Sequence, residues 1–124
     1  MKKTNLENWI CETEALPELT REGLETLQLK RLNQMLSRLA QQSRFYTNLP
    51  TKLNSLQELQ TLPFTTPQML AEQSEKFLLT SQSEVSRVIS GATSGTTGPA
   101  KRVFYTDTDT EHTVGFFAAG ISEM

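Results

Sequence analysis

The residues in this sequence whose types and spacing best suit a chemical task form one short segment, residues 93–101. Its members are Thr93, Ser94, Gly95, Thr96, Thr97, Gly98, Pro99, Ala100 and Lys101. The glycines allow backbone conformations in which successive N–H groups point into one concavity. The threonines and the serine add hydroxyl donors, and the lysine adds a mobile positive charge. These groups together can hold a polyphosphate, because hydrogen bonds to charged phosphate oxygens are roughly twice as strong as neutral ones.

The segment does not fit the two best-known nucleotide-binding patterns. A Walker A loop has a lysine directly after its second glycine, whereas Gly98 is followed by Pro99. The G-x-G-x-x-G spacing of Rossmann dinucleotide binders is also missing. P-loop NTPases and Rossmann enzymes therefore lose support. From composition alone, two interpretations stay open: a phosphate-binding loop, and a flexible hairpin loop between two strands.

The order of residues in the segment resembles the phosphate-loop signature of the adenylate-forming superfamily, which runs T/S-S-G-T-T-G-x-P-K. The match is close from Ser94 to Gly98 and again at Lys101. It departs at Ala100, where the family usually has proline, but this change removes no phosphate donor. Upstream, residues 29–32 (LKRL), 43–46 (SRFY) and 59–66 (LQTLPFTT) are similar to the N-terminal region of phenylacetate–CoA ligase-like enzymes. The resemblance covers about residues 27–105.

The resemblance implies a two-step reaction with ATP, Mg²⁺ and coenzyme A. A carboxylic acid attacks the α-phosphate of ATP, which gives an acyl-adenylate and pyrophosphate, and the coenzyme A thiol then displaces AMP. The loop would hold the β- and γ-phosphates by position and charge rather than by proton transfer. Its implied phosphate-binding residues are Thr93, Ser94, Gly95, Thr96, Thr97, Gly98 and Lys101. Among them the hydroxyls donate, the glycines permit close backbone approach, and Lys101 supplies the charge.

Two strands and a helix are predicted around the loop. Val85, Val88 and Ile89 are β-branched and lead into Gly91, and residues 102–106 form a second strand candidate. A last helix is predicted to begin near residue 108, with Thr108 and Glu111 at capping-box spacing. Its predicted buried face is Val114, Phe117, Ala118 and Ile121. The lone His112 is interpreted as a solvated helix residue, and the nearby acidic residues as charge at a helix N-terminus rather than a metal site.

The part before the loop is predicted to be helical. A long helix spans about residues 20–42, and its apolar stripe is interpreted as a core face rather than a partner-binding face; the stripe is Leu24, Leu27, Leu32, Met35, Leu36 and Leu39. Ser55 and Glu58 suggest a capping box that opens a short helix ended by Pro63. Thr66 and Pro67 suggest the start of another helix. Its predicted buried side is Met69, Leu70 and Phe77. The first eighteen residues are expected to be loosely ordered, with Cys11 as a packed side chain.

Composition excludes several classes of protein. The 124 residues carry a net charge of −2, which argues against a dedicated nucleic-acid binder. No apolar run approaches the ~20 residues of a membrane helix. The single cysteine, Cys11, leaves no internal disulfide and no multi-cysteine zinc site. We therefore expect a cytoplasmic protein without membrane or nucleic-acid partners.

These observations predict an α/β protein, α+β within this stretch. Residues 1–19 are an N-terminal extension, 20–80 a helical part, and 81–124 a strand–loop–strand–helix unit that opens the large, here incomplete, domain of an adenylate-forming enzyme. The family's other active-site segments follow the loop, so we expect the N-terminal portion of a CoA ligase that is inactive alone and prone to self-association. Two alternatives stay open: a non-enzymatic helical interaction module, and a weak stand-alone phosphate binder.

Overall fold

The computed structural model describes residues 2–91 and 101–122. Within them, four α-helices and two strands follow one another in the order α1 Asn5–Glu14, α2 Arg21–Gln42, α3 Pro67–Glu72, β1 Arg87–Gly91, β2 Lys101–Tyr105 and α4 Asp107–Ile121. Short 3₁₀-helical segments cover Leu56–Thr61, Ser74–Phe77 and Gln82–Glu84. The protein is thus a helix-rich mixed fold with a small antiparallel sheet, which confirms the α+β expectation at that level. Within the described residues, no helix combines the length and apolarity needed to cross a membrane.

Helix α1 lies in the part of the chain expected to be loosely ordered, and that expectation is wrong for Asn5–Glu14. A capping box starts the helix: the Glu7 N–H donates to the Thr4 hydroxyl at 3.1 Å, and the Thr4 N–H donates to the Glu7 carboxylate at 2.7 Å. Trp9 then packs edge-on against Phe116 of α4, with ring centroids 5.9 Å apart. Cys11 is buried on the same helix, as expected of a packed thiol. No local pattern in the sequence shows this packing, because the aromatic partner of Trp9 lies on α4, about a hundred residues later.

Helix α2 begins and ends close to the predicted positions. The Thr20 hydroxyl caps it by accepting from the Gly23 N–H at 2.9 Å. Leu36 is its one fully buried side chain, and most of the rest of the predicted core face is partly buried. Met35 is the exception, at 58% exposed. Leu53, from the segment after α2, is also buried and completes a small core.

The segment between α2 and the sheet follows the prediction in part. The predicted capping box is wrong: the Ser55 side chain makes no capping bond, and the Glu58 carboxylate instead accepts from the Asn54 N–H at 2.8 Å. The short helix that follows is 3₁₀. The second predicted start is confirmed, because the Thr66 hydroxyl accepts from the Met69 N–H at 3.2 Å ahead of α3. Met69, Leu70 and Phe77 are all partly buried rather than fully enclosed.

Helix α4 corrects two predictions. Its capping box is Thr106 with Asp109, two residues earlier than Thr108 with Glu111: the Asp109 N–H donates to the Thr106 hydroxyl at 3.2 Å, and the Thr106 N–H donates back to the Asp109 carboxylate at 2.9 Å. The predicted buried face is also wrong: Ala118 is exposed, as are Val114, Phe117 and Ile121, at 61%, 57% and 62%. The helix instead turns Gly115 toward α1, where a Cβ would lie 3.1 Å from the Trp9 indole nitrogen.

Candidate functional site

The two strands form an antiparallel hairpin that holds both ends of the predicted phosphate loop. Arg87 pairs with Tyr105, Ile89 with Val103, and Gly91 with Lys101 in the ladder. Partner residues in such a ladder have Cα atoms about 4.5–5.5 Å apart, so Gly91 and Lys101, which flank residues 92–100, lie side by side. The predicted strands on either side of the loop are therefore confirmed.

Of the predicted site residues, the structure places Lys101. Thr93, Ser94, Gly95, Thr96, Thr97 and Gly98 lie outside the described residues. Lys101 is the first residue of β2, and its side chain is partly buried. It forms no ion pair with any described residue. A lysine at this position brings one uncompensated charge to the point where the loop rejoins the sheet.

The hairpin as a whole is positively charged. Its strands carry Arg87, Lys101 and Arg102 and no acidic residue. Because direct cross-strand partners share a face and successive residues alternate, Lys101 lies on the same face as Arg87, whereas Arg102 lies on the opposite face. Arg87 stands at the far end of that face, four residue steps from the position opposite Lys101, or about 14 Å along the strand at ~3.4 Å for each step. One basic side chain thus marks the loop end of the hairpin and another marks its base.

The face opposite Lys101 ties the hairpin to the helical part of the chain. The Arg102 guanidinium lies 3.4 Å from the Glu75 carboxylate, with both side chains about half exposed. The Arg44 guanidinium donates to the Glu75 backbone carbonyl at 2.7 Å. Phe45 stacks on Phe77 beside these contacts, with ring centroids 4.1 Å apart. Exposed ion pairs of this kind contribute about 0–1 kcal/mol, so the Arg102–Glu75 pair holds the hairpin only weakly. The stacked rings instead join the segment after α2 to the turn that carries Glu75.

The N-terminus of α4 lies at the wrong end of the hairpin to serve the loop. The helix begins directly after β2, with Thr106 as its cap, whereas the loop precedes β2 at Lys101. The length of a five-residue strand therefore separates the helix N-terminus from the loop. Since the helix dipole acts mainly within the first turn, α4 adds little to any anion bound at residues 93–101.

In the described part of the chain, His112 and the acidic residues at the start of α4 have structural roles. His112 lies against Trp9, with ring centroids 5.2 Å apart, and has the character of an exposed packing contact. Asp107 and Asp109 occupy the first turn of α4, and Asp109 completes the capping box. Within the described residues, no three His, Cys, Asp or Glu side chains gather where they could hold a metal ion.

Comparison of the chain with protein-family models, with curated proteins and with solved structures yields no match. The sequence motif and the geometry of the hairpin on either side of it are therefore the features that bear on function.

Proposed function

We propose that residues 93–101 bind the phosphates of ATP and that this chain forms the N-terminal portion of an AMP-forming carboxylate–CoA ligase. The observation that supports the proposal is the hairpin register: a Ser/Thr/Gly-rich segment leaves the sheet at Gly91 and returns at Lys101. This arrangement anchors the segment at both ends, and Lys101 is the residue at which the chain rejoins the sheet. The motif T-S-G-T-T-G followed by Lys101 is the reason to expect a phosphate loop of the adenylate-forming type. The hairpin fixes the two residues that flank this segment, as such a loop requires.

In the proposed reaction, a carboxylate oxygen attacks the α-phosphorus of ATP. The new acyl–phosphate bond forms while the bond to the bridging oxygen breaks, and pyrophosphate leaves. The coenzyme A thiol then attacks the acyl carbon; the thioester forms, AMP leaves and the thiol loses its proton. The contribution assigned to this chain is confined to the phosphates. Hydroxyls of Ser94, Thr96 and Thr97 donate to them, and Lys101 stabilises the charge of the departing pyrophosphate.

Mg²⁺ accompanies ATP in such reactions, but hydroxyl and ammonium groups are not the carboxylate-rich set that magnesium prefers. We therefore assign no residue of this chain to Mg²⁺ and none to coenzyme A or to the carboxylic acid. A cytoplasmic location belongs to the same proposal.

Binding of ATP to the purified chain, measured by isothermal titration calorimetry, tests the proposal. Lys101→Ala removes one charge-assisted contact worth about 1.5–3 kcal/mol, so we expect ATP affinity to fall by about 10- to 100-fold. Arg87→Ala is the matched control, because it removes a basic side chain from the same face at the far end of the hairpin. Equal ATP affinities for Lys101→Ala and the unmodified chain would refute the assignment.

The alternatives predict different results in the same experiment. A helical interaction module folds but ignores ATP. A stand-alone phosphate binder holds pyrophosphate about as tightly as ATP and shows no carboxylate-dependent exchange of pyrophosphate into ATP. Such exchange in the protein that contains this segment, lost in Lys101→Ala, would support the ligase proposal.

A further inference from the structure

A groove separate from the phosphate loop lies between the 3₁₀ turn Ser74–Phe77, strand β2 and the start of α4. Its volume is about 460 Å³. Small-molecule sites typically occupy about 300–1,000 Å³, so the groove is large enough for a compact organic ligand. Nothing in the sequence motif or in the proposed ligase chemistry accounts for it.

The first sign of a ligand is Ser74, a polar residue in the wall of the groove. Its side chain is only 2% exposed, and its hydroxyl oxygen has no hydrogen-bond partner among the described residues. Buried hydroxyls are almost always hydrogen-bonded, because an unpaired one loses its water contacts without replacement. The oxygen has almost no exposed surface, so a polar ligand atom in the groove would supply the missing partner once the Ser74 side chain rotates toward it.

The second sign is the charge of the walls. Arg38 reaches the groove from α2, and Arg102 reaches it from β2. The carboxylates nearby are already engaged: Glu75 lies 3.4 Å from Arg102, and Asp109 accepts from the Thr106 N–H at 2.9 Å. Arg38 makes no ion pair within the described part of the chain and bonds through Nε to the Gln42 amide at 3.0 Å. Arg38 is therefore the guanidinium in the groove wall that can meet an anionic group directly, whereas an anion at Arg102 competes with the Glu75 carboxylate.

The third sign is the apolar character of the remaining walls. Leu70, Leu78, Phe77 and Phe104 line the groove, and the Arg102 guanidinium carbon lies 6.0 Å from the centroid of the Phe104 ring. Aromatic and aliphatic walls bind flat apolar rings, and a guanidinium near a ring face favours further stacking.

From these three observations, we infer that the groove binds a small aromatic anion. Its ring would lie against Phe77 and Phe104, its negative group near the two guanidinium groups, and a polar atom within reach of the Ser74 hydroxyl. This site lies against the face of β2 that carries Arg102, whereas the proposed phosphate site lies at the end that carries Lys101. The inference goes beyond the ligase proposal and does not depend on it.

Titration of the isotope-labelled chain with naphthalene-2-sulfonate, followed by two-dimensional NMR, tests the inference. We expect shifts concentrated at residues 74–78 and 102–109. The neutral analogue 2-naphthalenemethanol should bind at least about tenfold more weakly, the affinity ratio that 1.4 kcal/mol corresponds to. Sulfate alone should leave these signals unmoved, because it has no ring. Shifts scattered over the exposed apolar face of α4 instead would overturn the inference.

Two variants separate a binding role from a structural one. Ser74→Ala should weaken naphthalene-2-sulfonate binding while leaving the melting temperature unchanged or higher, because it removes a buried polar group that bonds to no described residue. Arg102→Gln should weaken binding by about tenfold, as expected for one lost charged contact. Arg87→Gln, on the other strand and outside the groove, is the control. Wild-type affinity in both Ser74→Ala and Arg102→Gln would refute the site, whatever the fate of ATP binding in Lys101→Ala.

Discussion

The side chain of Asn33 fastens the segment after α2 onto that helix, and its replacement gives the sharpest stability prediction. The Asn33 amide nitrogen donates to the Leu53 carbonyl at 2.9 Å, and the Leu53 N–H donates to the Asn33 amide oxygen at 2.8 Å. The Asn33 amide thus satisfies both backbone groups of Leu53, as a neighbouring strand does in a β-sheet. Leu53, only 4% exposed, is thereby held against α2.

Asn33→Ala breaks both bonds and leaves two backbone groups of a buried residue without partners. Each unsatisfied group costs about 1–3 kcal/mol, less where water can enter the space left by the amide. We therefore expect the free energy of unfolding to fall by about 2–4 kcal/mol. That is a large share of the ~5–15 kcal/mol that stabilises a typical domain.

Urea denaturation followed by far-UV circular dichroism measures this loss directly, with Asn48→Ala as the control. Asn48 is exposed and is expected to change stability by no more than about 0.5 kcal/mol. Asn33→Asp separates the two bonds, because a carboxylate still accepts from the Leu53 N–H but repels the Leu53 carbonyl. Its deficit should shrink in acid, where protonation restores a donor. A loss below about 0.5 kcal/mol in Asn33→Ala would show that the two Asn33–Leu53 hydrogen bonds do not stabilise the fold.

Two further predictions concern the helices that pack at the chain ends. Gly120→Ala should stabilise the protein by about 0.5–1 kcal/mol, because a Cβ there meets nothing within 4 Å. Gly115→Ala should stabilise it less, because its Cβ would lie 3.1 Å from Trp9. Thermal melts followed by the fluorescence of the single tryptophan compare the two variants, and an equal gain in stability would contradict the Gly115–Trp9 contact. The Thr4 N–H and the Thr4 hydroxyl lower the pKa of Glu7, so the carboxylate stabilises α1 above its ordinary pKa and loses this effect as the pH falls through the lowered value. Acid titration of helicity should show this loss in the unmodified chain and not in Glu7→Gln.

The sequence predicted most elements because their signals are local. The Thr66-Pro67 pair, the long leucine stripe of α2 and the β-branched run before Gly91 each depend on neighbours within a few residues. The predicted buried face of α4 failed for the opposite reason. Its helical spacing is real, but the direction in which the helix is buried depends on Trp9, about a hundred residues earlier in the chain.

The residues of the groove could not be predicted from local sequence patterns at all. Ser74 is one of many serines in this chain, and nothing in its immediate sequence marks it as buried. Arg38 lies in the long helix α2 and Arg102 in strand β2, and no local pattern links the two. Only packing of the turn Ser74–Phe77 against β2 brings them together. A tertiary site made of common residue types carries no spacing rule that sequence reasoning could use.

Strand β2 connects the two proposals because neighbouring residues on a strand point to opposite faces. Lys101 serves the loop end of the hairpin, whereas Arg102, next in the chain, turns toward Glu75 and the groove. Loss of the Lys101 charge leaves the Arg102 face intact, and emptying the groove leaves the ladder pair Gly91–Lys101 in place. The two sites therefore share a scaffold without sharing a functional side chain. Because no side chain is common to both sites, a ligand bound at one site can raise affinity at the other only by making the hairpin more rigid.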